Sequence, residues 1–284
     1  MAKIIAVANQ KGGVGKTTTA VNLSAGLGIL GKRVLLVDFD PQGNATSGVG
    51  LDKGTLTPTV YEVILDGLAP REAIRTTAYK LDILPANINL AGAEIELAQA
   101  EGREFRLKKA LDTVRDAYDF VIIDCPPSLG LLNLNSLTAA DGLLMPIQCE
   151  FYALEGLTAL LSTLKLVQES LNANLTVAGV LLTMYDYRTN LSQQVVEEVR
   201  KYFPDKVYDT VIPRTVRLSE APSYGMPAVF YDEKAKGAEV YMTLAKEVAK
   251  RGQDERPRAR LRGASSHRTE MAGGAHVFDR RHGS

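Results

Sequence analysis

Three short apolar runs constrain this chain more than any other feature: "KIIAVAN" (3–9), "RVLLVDF" (33–39) and "DFVIID" (119–124). Each is too short for a buried helix and carries apolar residues at consecutive positions, as a parallel strand covered on both faces does. Comparable runs occupy 81–86, 142–148, 177–185 and 207–213. Between them, helical patterns fall near 16–30, 89–116, 153–172, 190–203 and 236–251. The last of these places Val240, Tyr241, Leu244 and Val248 on one face. Strand–helix alternation of this kind predicts an α/β fold, a doubly wound, mostly parallel sheet with helices on both faces. Ligands of such sheets sit at the carboxyl ends of the strands.

Those carboxyl ends are where the chemistry gathers. After the first run comes "QKGGVGKTTT", a glycine-rich turn that opens a helix near Lys16. Glycines let backbone N–H groups close around phosphate oxygens, and a helix N-terminus adds a favourable field. Gly12, Gly13, Val14, Gly15, Lys16, Thr17 and Thr18 form the candidate cradle. Lys16 is placed to reach β- and γ-phosphates and the Thr17 hydroxyl to ligate Mg²⁺, the arrangement of a P-loop NTPase. The usual GxxxxGK(S/T) spacing is broken, since Gln10 stands where a glycine is expected and a second lysine, Lys11, follows. Two later strands end in acids, "VLLVDFDPQGN" with Asp38 and Asp40, and "VIIDCPPS" with Asp124. Asp124 fits a Mg²⁺-holding acid, and the turn announced by Pro41 and Gly43 lets Asp38 and Asp40 serve different parts of one site.

Composition narrows the class. The 284 residues are 45% hydrophobic and 23% charged, and no apolar run approaches the roughly 18 residues of a membrane span. The start, "MAKII", has no secretory signal pattern. Cys125 and Cys149 are too far apart for a CxxC motif and read as buried thiols of a cytoplasmic protein. The net charge of zero is divided. Residues 251–284 hold eight arginines against four acids, and the first 250 residues hold 25 basic against 29 acidic groups. DNA binding by the body therefore rests on local patches, not net charge. The Arg-rich end from 252, with His267, His276 and His282, is expected to be an unpacked tail following an ATPase domain over 1–251.

Together, "KGGVGKTTT", "VDFDPQGNATSG", "VIIDCPPSLGLL", "FYALEG" and "VIPRTVRLSEAPS" resemble the ParA/Soj chromosome-partitioning ATPases and their deviant Walker A loop, over about residues 2–251. The resemblance implies a weak, Mg²⁺-dependent ATPase that forms an ATP-dependent homodimer. In it, Lys11 crosses to the partner's ATP, Asp40 positions the attacking water, and Asp38 and Thr17 serve the metal. It also implies an adenine pocket at Pro213 and at Thr215, where relatives usually carry asparagine. Arginines matching Arg188 and Arg217 lie in that family on a face that grips double-stranded DNA without sequence choice, and Lys246 and Lys250 extend it. A ParB-like centromere-binding protein is the implied partner, with chromosome or plasmid as cargo and a nucleoid-associated location in the cytoplasm. Two other readings use the same fold. A MinD-like membrane switch would need an amphipathic anchor, and Leu261, Met271, Val277 and Phe278 are too scattered to make one. A metabolic ATP-dependent enzyme or cluster carrier would need a second-substrate motif or a clear cysteine pair.

Overall fold

The computed structural model describes the backbone of residues 1–150 and 153–266, and the side chains of 1–150 and 160–252 within them. Eight strands form one sheet: β1 (Lys3–Val7), β2 (Val34–Asp38), β3 (Arg75–Thr76), β4 (Asp82–Leu84), β5 (Phe120–Asp124), β6 (Gly142–Gln148), β7 (Thr176–Tyr185) and β8 (Val207–Pro213). Their order is β3-β4-β2-β5-β1-β6-β7-β8. All neighbouring pairs are parallel except the β3–β4 edge. The strand order reverses around β1, so the chain following β1 lies at the switch point, where open α/β sheets bind ligands.

Alternate residues of the central strands serve different cores, as a period of two requires. Ile4, Ala6, Leu35, Val37, Val121 and Ile123 join one hydrophobic cluster, which Leu107, Leu111, Leu132 and Leu137 complete. Ile5, Val7, Leu36 and Ile122 are equally buried but stand outside it, on the face covered by α1 (Lys16–Ile29). On that face Tyr241 and Leu244 of the last helix are 1% and 0% exposed. Gly26 and Ala245 approach so closely that a Cβ at Gly26 would lie 2.9 Å from the Ala245 methyl. A Cβ at Gly28 would overlap the Lys80 carbonyl oxygen, a backbone atom that cannot rotate away. Gly28→Ala is therefore expected to cost about 1–3 kcal/mol. In a domain of this size that lowers the melting temperature by several degrees, readable by calorimetry.

The last helix runs Lys236–Ser266, continuing past the expected end at 251. Arginine, alanine and leucine are strong helix formers and supply much of 256–264, so local propensity there favours continuation despite Pro257. By contacts the chain divides into units Met1–Glu247 and Val248–Ser284. The three histidines and the rest of the expected tail, 267–284, lie outside the described residues. Among the described residues no helix is long and apolar enough to cross a membrane.

Candidate nucleotide site

The loop after β1 is shaped by two left-handed glycines, Gly13 at φ 73° and Gly15 at φ 89°. An L side chain rarely adopts that conformation, so glycine is required at both. Thr19 N–H donates to the Gly15 carbonyl at 2.9 Å and starts α1 directly behind the loop. The Asn9 side chain ties the loop's first residues down. Its amide donates to the Pro146 carbonyl (2.7 Å) while its oxygen accepts the Lys11 N–H (3.0 Å).

The two lysines are held differently. Lys16 is 7% exposed, and its ammonium donates to the Lys11 carbonyl at 3.1 Å, folded over its own loop. Burial lowers its pKa, against the opposing pull of Asp124 and Asp40 nearby. Lys11 instead extends from the mouth of the loop. Its side chain is 38% exposed, and its ammonium makes an open ion pair with Glu150 at 3.4 Å. A pair that exposed contributes little and is readily exchanged.

The three acids separate in the same way. A regular strand would set Asp38 and Asp40 on one face, but β2 ends at Asp38 and Asp40 enters the turn. Asp38 is fully buried and spoken for. One oxygen accepts the Asp40 N–H (3.3 Å); the other accepts the Thr46 N–H and hydroxyl, both at 2.7 Å, tethering the short helix α2 (Asn44–Gly48). Burial pushes the Asp38 carboxyl up to about 6 despite these donors. Asp40 caps the turn by accepting the Gln42 N–H at 2.9 Å. Asp124, paired in register with both Asp38 and Val7, is also fully buried, and neither of its oxygens makes a well-formed hydrogen bond. Burial, then Asp38, raises its pKa well above the usual carboxylate range, against the opposing effect of the Thr17 hydroxyl. A buried carboxylate with no compensating charge on it, beside a threonine hydroxyl, is a donor set that fits Mg²⁺, which would supply the positive charge.

A cavity of about 560 Å³ opens beside the loop, lined by Gly15, Thr18, Met184, Pro213, Thr215 and Tyr241 among others. Thr18 and Pro222 also line a second cavity of about 400 Å³ beside Thr17, Asn44 and Lys53, so both cavities border the start of α1. The Thr215 hydroxyl accepts the Leu218 N–H at 3.4 Å as the cap of the helix Val216–Glu220, which leaves its own O–H to donate. Met184 enters this wall at positive φ, 52°, one of two such non-glycine residues among the described residues.

Arg188 and Arg217 follow the neighbouring strands β7 and β8, whose ends pair at Tyr185 and Pro213. Both arginines have acidic partners. Arg188, 87% exposed, pairs with Asp186 at 2.7 Å. Arg217 pairs with Glu220 (3.0 Å) and Asp232 (3.5 Å) and lies over the Tyr231 ring. Lys246 and Lys250 are exposed. Cys125 and Cys149 are buried free thiols, each pushed up to about 12 by burial, which leaves them unreactive.

Over 253 residues the chain is 62% identical to the sporulation initiation inhibitor protein Soj of Bacillus subtilis, covering 89% of this chain and 100% of that one. It belongs to the ParA/Soj family of chromosome-partitioning ATPases. The chromosome partitioning protein ParA of Myxococcus xanthus is 52% identical over 260 residues, covering 91% of this chain and 92% of that protein. An AAA domain family matches residues 2–177. Among solved structures, cobyrinic acid a,c-diamide synthase from Mycobacterium smegmatis, with bound ATP analog and magnesium, superposes with a TM-score of 0.77. It shares 43% identity and covers 87% of this chain and 93% of that one. Beyond the motif residues, the ParA/Soj site here depends on Asn9, Thr46 and Thr183, which the sequence reading passed over. Their partners lie as far as 169 residues away, and no local pattern carries that signal.

Proposed function

We propose that this chain is an ATP-driven switch for DNA partitioning: a Mg²⁺-dependent, slow ATPase whose ATP-bound form is a homodimer that grips DNA without sequence choice. The observation that carries this reading is the division between the two lysines. Lys16 is committed to its own loop, while Lys11 holds its charge out at the loop's mouth in a replaceable ion pair. A cation so placed suits a phosphate presented by a second copy, making ATP part of the interface.

Within one subunit, the backbone N–H groups of Gly12–Thr18, the N-terminus of α1 and Lys16 receive the phosphates. Thr17 and Asp124 hold Mg²⁺, with Asp38 behind them fixing the turn that carries Asp40. When bound, Mg²⁺ neutralises phosphate charge. Asp40 orients the attacking water, and Lys11 from the other subunit stabilises charge developing on the phosphoryl group, as an arginine finger would. Pro213 and the wall beside Thr215 receive the base. The 1–251 segment is the ATPase domain in this account.

The DNA face comprises Arg188 and Arg217, with Lys246 extending it. Their acidic partners are only half-buried, and a phosphate diester can take the place of such a carboxylate. Contact with phosphates alone gives affinity without base readout. The working place of such a protein is the nucleoid, with a ParB-like protein as the stimulating partner. The metabolic reading suggested by the synthase structure ranks lower, at 43% identity against 62% for Soj.

DNA binding measured across a salt series with and without ATP tests this function. Affinity should require ATP and be alike on unrelated sequences. Arg188→Ala and Arg217→Ala should each flatten the log–log salt slope by about one unit per lost phosphate contact in each subunit. ATP binding should be unchanged. ATP-independent binding, or wild-type slopes in both variants, would refute the assignment.

A further inference from the structure

Two side chains brace the phosphate loop from neighbouring strands. Asn9 does so through β6, as described above. The second brace comes from β7: the Thr183 hydroxyl donates to the Val14 carbonyl at 2.9 Å, in a buried setting where Thr183 is 2% and Val14 1% exposed. Thr183 is itself pinned, because its carbonyl accepts the Cys149 N–H at 3.0 Å.

The geometry of the Val14–Gly15 peptide gives this bond a consequence. In a planar trans peptide the carbonyl and the following N–H point in opposite directions. Holding the Val14 carbonyl against β7 therefore fixes where the Gly15 N–H points. It also keeps the carbonyl's negative end from turning toward an anion. Gly15, at φ 89°, offers little resistance of its own to such a turn, since glycine has no Cβ to restrict it. Around Thr183 the strand is irregular. The β7–β8 register shifts between Leu182 and Tyr185, and Met184 takes a left-handed conformation that puts it in the cavity wall with Gly15 and Thr183.

We propose that Thr183 is a positioning residue for the triphosphate, locking the Val14–Gly15 peptide in the orientation that presents its N–H to phosphate. This rests on reading the loop as an ATP site. Because the lock acts on bound substrate and transition state alike, losing it should raise KM more than it lowers kcat.

The test is steady-state ATP hydrolysis by the full chain, with ATP affinity measured in parallel. Thr183→Val keeps the shape and removes the hydroxyl; Thr183→Ser restores the donor. The expected result is a KM and Kd for ATP about tenfold higher in Thr183→Val, kcat within about twofold, and near wild-type values in Thr183→Ser. Thr183→Ala should behave as the valine variant and serves if that one folds poorly. A lowered kcat with KM and Kd unchanged in both the valine and the alanine variant is what a merely structural role predicts, and that outcome overturns the proposal. So does a serine variant as weak as valine, or a valine variant equal to wild type. A wild-type chain that does not bind ATP overturns the ATP-site reading and this proposal with it, whereas wild-type binding with an unaffected valine variant overturns the brace alone.

Discussion

Lys16→Ala is expected to abolish ATP binding at any practical concentration, and with it hydrolysis, dimer formation and DNA binding. Lys16 is buried over its own loop, with its ammonium on the Lys11 carbonyl and the Asp124 and Asp40 charges nearby. Truncating one partner of a buried, hydrogen-bonded charge pair, as Lys16 would form with phosphate, costs about 2–5 kcal/mol. At the middle of that range affinity falls by more than a hundredfold. Isothermal titration with ATP and Mg²⁺ reads the loss directly, and thermal melting of the apo protein shows whether the fold survives. Binding within tenfold of wild type would remove Lys16 from the phosphate contacts.

Asp40 has the opposite signature. Its carboxylate caps the turn through Gln42 and is not needed to hold phosphate, so substitution should spare ATP binding and stop turnover. Positioned acid–base groups contribute about 10²–10⁴ to rate, and a loss in that range is expected for Asp40→Ala. Asp40→Asn separates the two jobs of the residue, because an amide oxygen still accepts the Gln42 N–H while the carboxylate charge is gone. Both variants should accumulate as ATP-bound dimers that stay on DNA. Phosphate release at the wild-type rate by Asp40→Asn would show that the residue serves only the turn.

The parts of this molecule that were legible in its sequence are those written at short range. Seven strands were readable as apolar runs of six to nine residues; β3, a two-residue antiparallel edge, is too short to leave a pattern. The helix Leu131–Ala139 was not anticipated, because "LLNLNSLTA" has no polar face turned to solvent. Asn133, Asn135, Ser136 and Thr138 are all at most 2% exposed, and Asn135 instead satisfies the Leu107 N–H and the Arg103 carbonyl. The helical pattern over 89–116 breaks into shorter turns, with Gly102 at φ 62° among the breaks. At the site, the loop and its acids were readable from spacing alone. What the acids do to one another was not. The burial of Asp124 against Asp38 exists only once β1, β2 and β5 are in register.

The central claim is that Lys11 serves a neighbouring subunit while Lys16 serves its own. Light scattering on gel-filtered protein tests it most directly, with ATP and Mg²⁺ present, in the Asp40→Ala background where hydrolysis no longer empties the site. The single variant should elute as an ATP-loaded dimer. Adding Lys11→Ala should yield an ATP-loaded monomer, because the glycines, Lys16 and the start of α1 all remain. A double variant that still elutes as an ATP-loaded dimer would contradict the cross-subunit role of Lys11.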